Sequence, residues 1–200
     1  VPTPKQIEDI VKSMMLPGSI IDTINRRITI SFDLGVEYIE KIIHSNIMDV
    51  NPEVLEFIKN YNFDLVKNMN DDLAVKLKDT LSRGIMEGKS STQMTKNVRD
   101  IFDSTMERAQ MISRTETARA FGMGQYAAAV KSPIKMVKYW LAVHDNRTSK
   151  ICQRLSNKYS RENAIPIDRK FTDTTSGFIG LTNPAHINCR SEVIYIPRKR

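Results

Sequence analysis

The feature that most constrains this chain is a change of hydrophobic period at Lys131-Ser132-Pro133. Before it, apolar residues recur at helical spacing and no alternating stretch of any length occurs. After it, Ile134, Met136, Lys138, Trp140 and Ala142 alternate with Lys135, Val137, Tyr139 and Leu141, which is the period of a strand. At 200 residues the chain is long enough to bury a core. The expectation is an α+β fold: a mostly helical N-terminal two thirds with a long central helix, then a small, loop-rich antiparallel β module.

The helical part divides at its breakers. Pro52 after Asn51 opens a segment whose Val54, Leu55, Ile58, Tyr61 and Leu65 follow helical spacing. Asn70 is read as the cap of a further helix, with Leu73, Leu77, Leu81 and Ile85 on one face and Gly88 where a left-handed residue would stop it. Ser90 or Ser91 starts another, carrying Met94, Val98, Ile101 and Phe102 and breaking near Asp103-Ser104. A long helix is expected from Thr105 to Val130. Gly122 and Gly124 fall inside it and not after a strand, so they are read as places where another backbone approaches, not as a dinucleotide loop.

Beyond the first strand, Thr148 to Leu155 reads as a short helix, Asn157 to Leu181 as loop, and Ser191 to Ile196 as a second strand. The resulting division is 1–50 as a helical N-terminal arm, 51–133 as a helical region that includes the long helix 105–130, and 134–200 as a small basic α+β module. Two strands about 50 residues apart, with little regular structure between them, need a local constraint to hold the connection. The side chains able to supply it are Cys, His and Asp.

Charge sets the module apart. Residues 131 to 200 carry 14 Lys and Arg against 5 Asp and Glu, or +9, whereas the first 130 carry 16 against 18, or −2. That asymmetry favours a polyanionic neighbour on the C-terminal side, nucleic acid first and acidic protein second. The cations that would meet phosphates are Lys135, Lys138, Lys150, Arg154, Lys158, Arg169, Lys170, Arg198, Lys199 and Arg200. A solvated basic surface with a frayed tail is the plain alternative. No apolar run approaches the ~20 residues of a membrane helix, so a soluble chain with no membrane partner is expected. Two cysteines are too few for a secreted disulfide scaffold, which points to a reducing compartment. The start at Val1, followed by Pro2 and Pro4, reads as a processed product or a fragment.

Two constellations carry chemistry. Glu116 lies within the apolar stripe Ala109, Ile112, Ala120, Met123, Ala127 and Val130 of the long helix. A buried carboxylate requires a cation or N–H donors, and Arg147 is the first candidate. A catalytic Glu116 is the sharper reading, but no second group stands at a spacing that defines a reaction. Second, His144, Asp145, Arg147, Thr148 and Cys152 close the first strand, and His186, Cys189 and Arg190 lead into the last. Cys152, His186 and Cys189, with Asp145 or His144 as a fourth, form a candidate tetrahedral zinc set. A Cys152 to Cys189 disulfide, or plain packing of two thiols beside a hydrogen-bonded histidine, would pin the same loop.

Taken in order, these segments resemble the Mu F-like phage head morphogenesis family, the minor head (minor capsid) proteins of tailed bacteriophages. The resemblance covers about residues 60 to 197. It rests on the Gly88-Lys89-Ser90 join, Arg114-Thr115-Glu116-Thr117 with Ala120, Lys138-Tyr139-Trp140, Asp145 with Arg147-Thr148, Cys152 with Leu155, and His186 with Cys189-Arg190. In that family the Cys152 position is His or Cys and the last motif usually reads His-Pro-x-Cys-Arg-Cys. A His-for-Cys exchange suits a metal ligand and not a disulfide. Ser191, Ile187 and Asn157 depart from the pattern, and Ser191 removes a ligand.

The resemblance implies a structural role in building the phage head at or near the portal. It implies contacts to portal, capsid or scaffold protein and to packaged DNA, and a location in the virion head or procapsid interior after assembly in the host cytoplasm. Arg114, Glu116, Arg147, Thr148 and Arg190 are then a structural network and no residue is catalytic. The competing class is a metal-dependent hydrolase, a nuclease or phage-borne toxin, with His144, Asp145 and His186 around an ion and Glu116 as acid or base. A regulatory DNA-binding protein is a third class, but the sequence lacks a helix-turn-helix reading helix.

Overall fold

The computed structural model describes residues 18–47 and 52–198. Three long helices come first: α1 (Gly18–Ile43), α2 (Pro52–Met86) and α3 (Ser91–Lys131). A small module follows, made of β1 (Met136–Leu141), α4 (Lys150–Lys158), β2 (Ile165–Pro166), β3 (Phe171–Asp173), β4 (Phe178–Gly180) and β5 (Glu192–Pro197). The architecture is α+β.

Helix α1 presents Ile24, Ile28, Phe32, Ile39 and Ile43 along one buried stripe. It lies along α3, and the two backbones meet at a pair of glycines: a side chain on Gly124 would strike the Phe32 carbonyl, and one on Gly35 the Phe121 carbonyl. Glycine is required there because the helices touch main chain to main chain. The arm expected over residues 1–50 is thus, in its described part, a helix whose Ile24, Ile28 and Phe32 enter one core with Met69 and Ala120, while Ile39 and Ile43 enter another.

Two expected helix breaks are absent. The chain is helical without interruption from Pro52 to Met86, through Asn70, and from Ser91 to Lys131, through Asp103-Ser104. Asn, Asp and Ser cost a helix interior only about half a kcal/mol each, and burial of Met69, Leu73 and Leu77 on one side of α2 outweighs that. Thr105 shares the position by bonding back to the Ile101 carbonyl at 2.8 Å. The break between α2 and α3 falls where expected: Gly88 takes φ 66°, with Lys89 N–H on the Gly84 carbonyl at 2.9 Å and Gly88 N–H on that of Ile85 at 3.2 Å. Ser90 and Gln93 then form a capping box for α3.

In the module, β1 pairs antiparallel with β2 on one side and β5 on the other, with Lys138 opposite Tyr195 and Trp140 opposite Val193. β3 and β4 form a separate hairpin. These two- and three-residue strands occupy the stretch read as loop, because such short pieces carry no measurable period. The inward register of β1, with Met136 and Trp140, packs on Phe171, Tyr159, Leu155 and Val193. Trp140 and Tyr159 each meet Phe171 edge to face, at 5.2 and 5.1 Å between ring centres. Ile39 and Ile43 of α1 and Ala128 and Ala129 of α3 close this core from the helical side.

Candidate functional site

Two segments converge beside the end of β1. The first is the turn from His144 to Ser149 and the opening of α4. Ser149 caps that helix, its Oγ accepting from the Cys152 N–H at 3.3 Å, so Cys152 sits in the first turn with its thiol directed inward and 2 % exposed. The second segment runs from Thr182 to Arg190 and is stitched to α3. Asn183 donates through Nδ2 to the Ala118 carbonyl at 3.4 Å, and its Oδ1 accepts from the Val193 N–H at 3.4 Å. Asn188, at φ 57°, donates its N–H to Thr115 Oγ1 at 3.0 Å, and that hydroxyl donates to the Met111 carbonyl at 2.7 Å. Asparagine accepts the left-handed backbone better than most residues.

This scaffold brings Cys152, His186 and Cys189 together. Cys152 Sγ lies 3.1 Å from His186 Nε2 and 3.5 Å from Cys189 Sγ, and the three ligand atoms are all within 4.8 Å of one another. Both cysteines are free and buried, and their separation is well beyond the roughly 2.05 Å of a disulfide. His186 Nδ1 is 2.7 Å from the Ile187 carbonyl, which can only accept, so the ring proton belongs on Nδ1. In the neutral ring Nε2 is then the bare nitrogen, facing Ser149 Oγ at 2.7 Å and Cys152. The two sulfurs are hydrogen-bonded, and either thiol can be the donor. That bond, with the Ala185 and Ser191 amides and the nearby His186, draws the Cys189 thiol well below its ordinary range. The same bond, with burial, pushes Cys152 up.

The expected fourth ligand is not in the cluster. Asp145 gives both carboxylate oxygens to Arg190, at 2.5 and 2.8 Å, and also accepts from Thr148 Oγ1 at 2.9 Å and the Arg147 N–H at 3.0 Å. The guanidinium holds the Asp145 carboxyl far below the usual carboxylate range. Thr148 Oγ1 also lies against the Val143 carbonyl, which closes the turn. His144 is exposed and sits 3.4 Å from Ser156 Oγ, outside the Cys/His group.

Glu116 is 3 % exposed, and its partner is Arg119, one turn along the same helix at 2.8 Å, in place of the expected Arg147. A cation three residues along a helix reaches the carboxylate with no help from tertiary structure. Arg147 keeps its side chain exposed, as does Arg114. The hydrolase constellation therefore does not assemble among the described residues: Glu116 is tied to Arg119, Asp145 to Arg190, and His144 lies apart. The cavity beside the cluster, lined by Thr148, Ser149, Cys152, His186 and Ser191 among others, holds about 20 Å³. That is enough for one water or ion and not for a scissile bond.

The cations separate into engaged and free. Lys138 cannot meet a phosphate: it is fully buried, donates from Nζ to the Leu181 carbonyl at 2.5 Å, and stands 4.9 Å from the Phe171 ring centre and 5.2 Å from that of Tyr126. Burial lowers its pKa to about 8. Its inward place follows from the alternation that marks β1, since it shares a face with Met136 and Trp140. Arg154 is committed too, bidentate to the buried Asp173 at 2.8 and 2.7 Å, with Ser176 Oγ completing the carboxylate's shell at 2.5 Å. Lys135, Lys150, Lys158, Arg169, Lys170 and Arg198 are exposed; Lys199 and Arg200 lie outside the described residues. Lys158 also donates to Thr172 at 3.2 Å.

Sequence reasoning overlooked Ser149, Thr115, Asn188 and Asp173. Ser149 carried a readable signal, a cap residue three before Cys152 at a helix start. The other three bond to partners between 3 and 73 residues away, and of them only Thr115 carries a signal, as part of the Arg114-Thr115-Glu116-Thr117 motif.

Among the described residues no helix is long and apolar enough to cross a membrane. No curated protein and no solved structure compared with the chain gives a match. A family model described as Phage Mu protein F like protein matches residues 75–194, more than half of the chain, from the second half of α2 into β5. The matched span contains β1, α4, β2, β3, β4, the start of β5 and the whole of the Thr115 to Asn188 stitching. The chain belongs to the Phage Mu protein F like family.

Proposed function

We propose that this protein is a minor head protein of a tailed phage or prophage, acting at or near the portal, and that its C-terminal third meets packaged DNA without reading sequence. The family match over residues 75–194 carries the reading, since it assigns the chain to phage head morphogenesis and so to contact with other head components. Portal, capsid or scaffold protein are the partners proposed for the helical part. There Val75 and Met86 of α2 and Met106 and Met111 of α3 leave apolar surface exposed. The DNA half rests on charge. The six exposed lysines and arginines named above stand in the +9 third, free of carboxylate partners among the described ion pairs.

Titration of the full chain with duplexes of unrelated sequence, at rising salt, tests the DNA half. Equal affinities are expected, falling with salt at a log–log slope of about −0.9 for each cation that meets a phosphate. No binding at low salt, or binding indifferent to salt, would refute it. Co-sedimentation with procapsids assembled with and without the portal protein tests the other half. Retention that ignores the portal would move the protein away from that vertex.

A further inference from the structure

We propose that Cys152, Cys189 and His186 hold a zinc ion through two thiolates and Nε2, with a water completing the tetrahedron, and that this ion is the pin that closes the module. The geometry favours it over the two rival pins. Zinc–sulfur bonds of ~2.3 Å and zinc–nitrogen bonds of ~2.0 Å in a tetrahedron place sulfur atoms ~3.8 Å apart and sulfur from nitrogen ~3.5 Å. Cys152 Sγ stands 3.5 Å from Cys189 Sγ and 3.1 Å from His186 Nε2, so these two pairs open by a few tenths of an ångström to take the ion, and the third pair, Cys189 Sγ and His186 Nε2, lies within 4.8 Å. A disulfide would instead draw the sulfurs together by ~1.5 Å. The sulfurs sit on the first turn of α4 and on the tethered loop before β5, and both anchors resist such a shift.

In plain packing the His186 Nε2 is met by Ser149 Oγ at 2.7 Å, and what favours the ion over that is the way the ring is turned. Its Nδ1–H is committed to the Ile187 carbonyl, the arrangement by which outer hydrogen bonds fix a ligating ring and turn the bare nitrogen to the metal. The adjoining 20 Å³ space supplies the fourth position at the size of one water, next to the hydroxyls of Ser149 and Ser191 that can bond it. Two thiolates and an imidazole select zinc over calcium or magnesium, and two thiolates neutralise its charge inside a core. The ion takes both cysteines as thiolates, and any thiol proton still held is released to solvent on binding. The site is structural, because its open position is too small to admit a substrate.

The test uses the full chain purified under reducing conditions without chelator. One zinc per chain is expected. Cobalt should replace it with a thiolate-to-metal charge-transfer band and the intense visible absorption of a four-coordinate site. C152S and C189S should lose the band, H186C should keep it and strengthen it, and D145N should leave it unchanged. Should the serine variants fail to fold, the wild-type chain decides alone: zinc should slow alkylation of both thiols and a chelator should restore it. Absence of retained metal together with thiols whose alkylation zinc does not slow would overturn the site. A Cys152 to Cys189 disulfide in thiol-blocked protein would do the same. Loss of the ion in D145N would overturn the ligand set.

Discussion

Lys138 offers the sharpest test of how the module is built. A lysine in the inward register of β1 places an ammonium among Trp140, Phe171 and Tyr126, where burial lowers its pKa from 10.5 to about 8. The folded chain then binds fewer protons than the unfolded chain between about pH 8 and about pH 10.5, so stability rises with pH across that window. The full displacement corresponds to about 3 kcal/mol of destabilisation at neutral pH, of which about 2 kcal/mol is recovered between about pH 7 and about pH 9.5. Lys138→Met keeps the length of the side chain and removes the charge, but leaves the Leu181 carbonyl without its donor, at a cost of about 1–3 kcal/mol. The two effects nearly offset at pH 7, so the variant should lie within about 2 kcal/mol of the parent there. As pH rises the parent should gain about 2 kcal/mol on it. Urea unfolding of both chains at several pH values measures it. Parallel stability curves would show that the amine is not desolvated in the native protein and would refute the placement of Lys138 in the core.

Other perturbations address the joints between elements. Gly124→Ala puts a methyl group against the Phe32 carbonyl where α1 and α3 touch, and should cost about 1–3 kcal/mol in thermal unfolding; an unchanged Tm would mean the helices are not in backbone contact. Thr115→Val retains the shape but removes the acceptor for the Asn188 N–H, and a loss of about 1–3 kcal/mol is expected, with faster amide exchange at Asn188 as the local signature. Asp173 is held far below the usual carboxylate range by Arg154 and Ser176, so its contribution is present above about pH 4 and disappears as pH falls through its folded value. Asp173→Asn should therefore destabilise the chain at neutral pH and flatten the acid limb of its stability curve; an acid limb identical to the parent's would contradict that role.

Much of this fold could be read from residue order, and the parts that could not have a common cause. The period change at Pro133, the Gly88 stop, the Ser90 start and the inward set Met136, Trp140 and Ala142 are local signals, each decided within a few residues. The expected Asn70 and Ser104 breaks do not form: their propensity is weak, and at Asn70 the burial of Met69, Leu73 and Leu77 that overrides it depends on α3 and is invisible in the α2 sequence alone. Lys138 shows the opposite error. Its position on the inward face was legible, yet its residue type led to a surface role. At the site, the convergence of Cys152, His186 and Cys189 followed from their types and from the need to pin a long connection. Asp145 was assigned to the ion because a carboxylate can ligate metal, whereas Arg190, 45 residues on, engages it first.

The position of α1 sets the order in which this protein can become soluble. Its stripe from Ile24 to Ile43 is covered by Ala120, Ala128 and Ala129 of α3 and by the core that Val193 and Tyr195 of β5 help to build. A ribosome adding ~5–20 residues each second needs on the order of ten seconds to go from the end of α1 to those partners. During that interval the row of isoleucines has, among the described residues, only α2 to lie against, through Met69 and Val54. Chains released before α3 is complete should therefore aggregate, and their yield should respond to chaperone supply more than that of the finished protein.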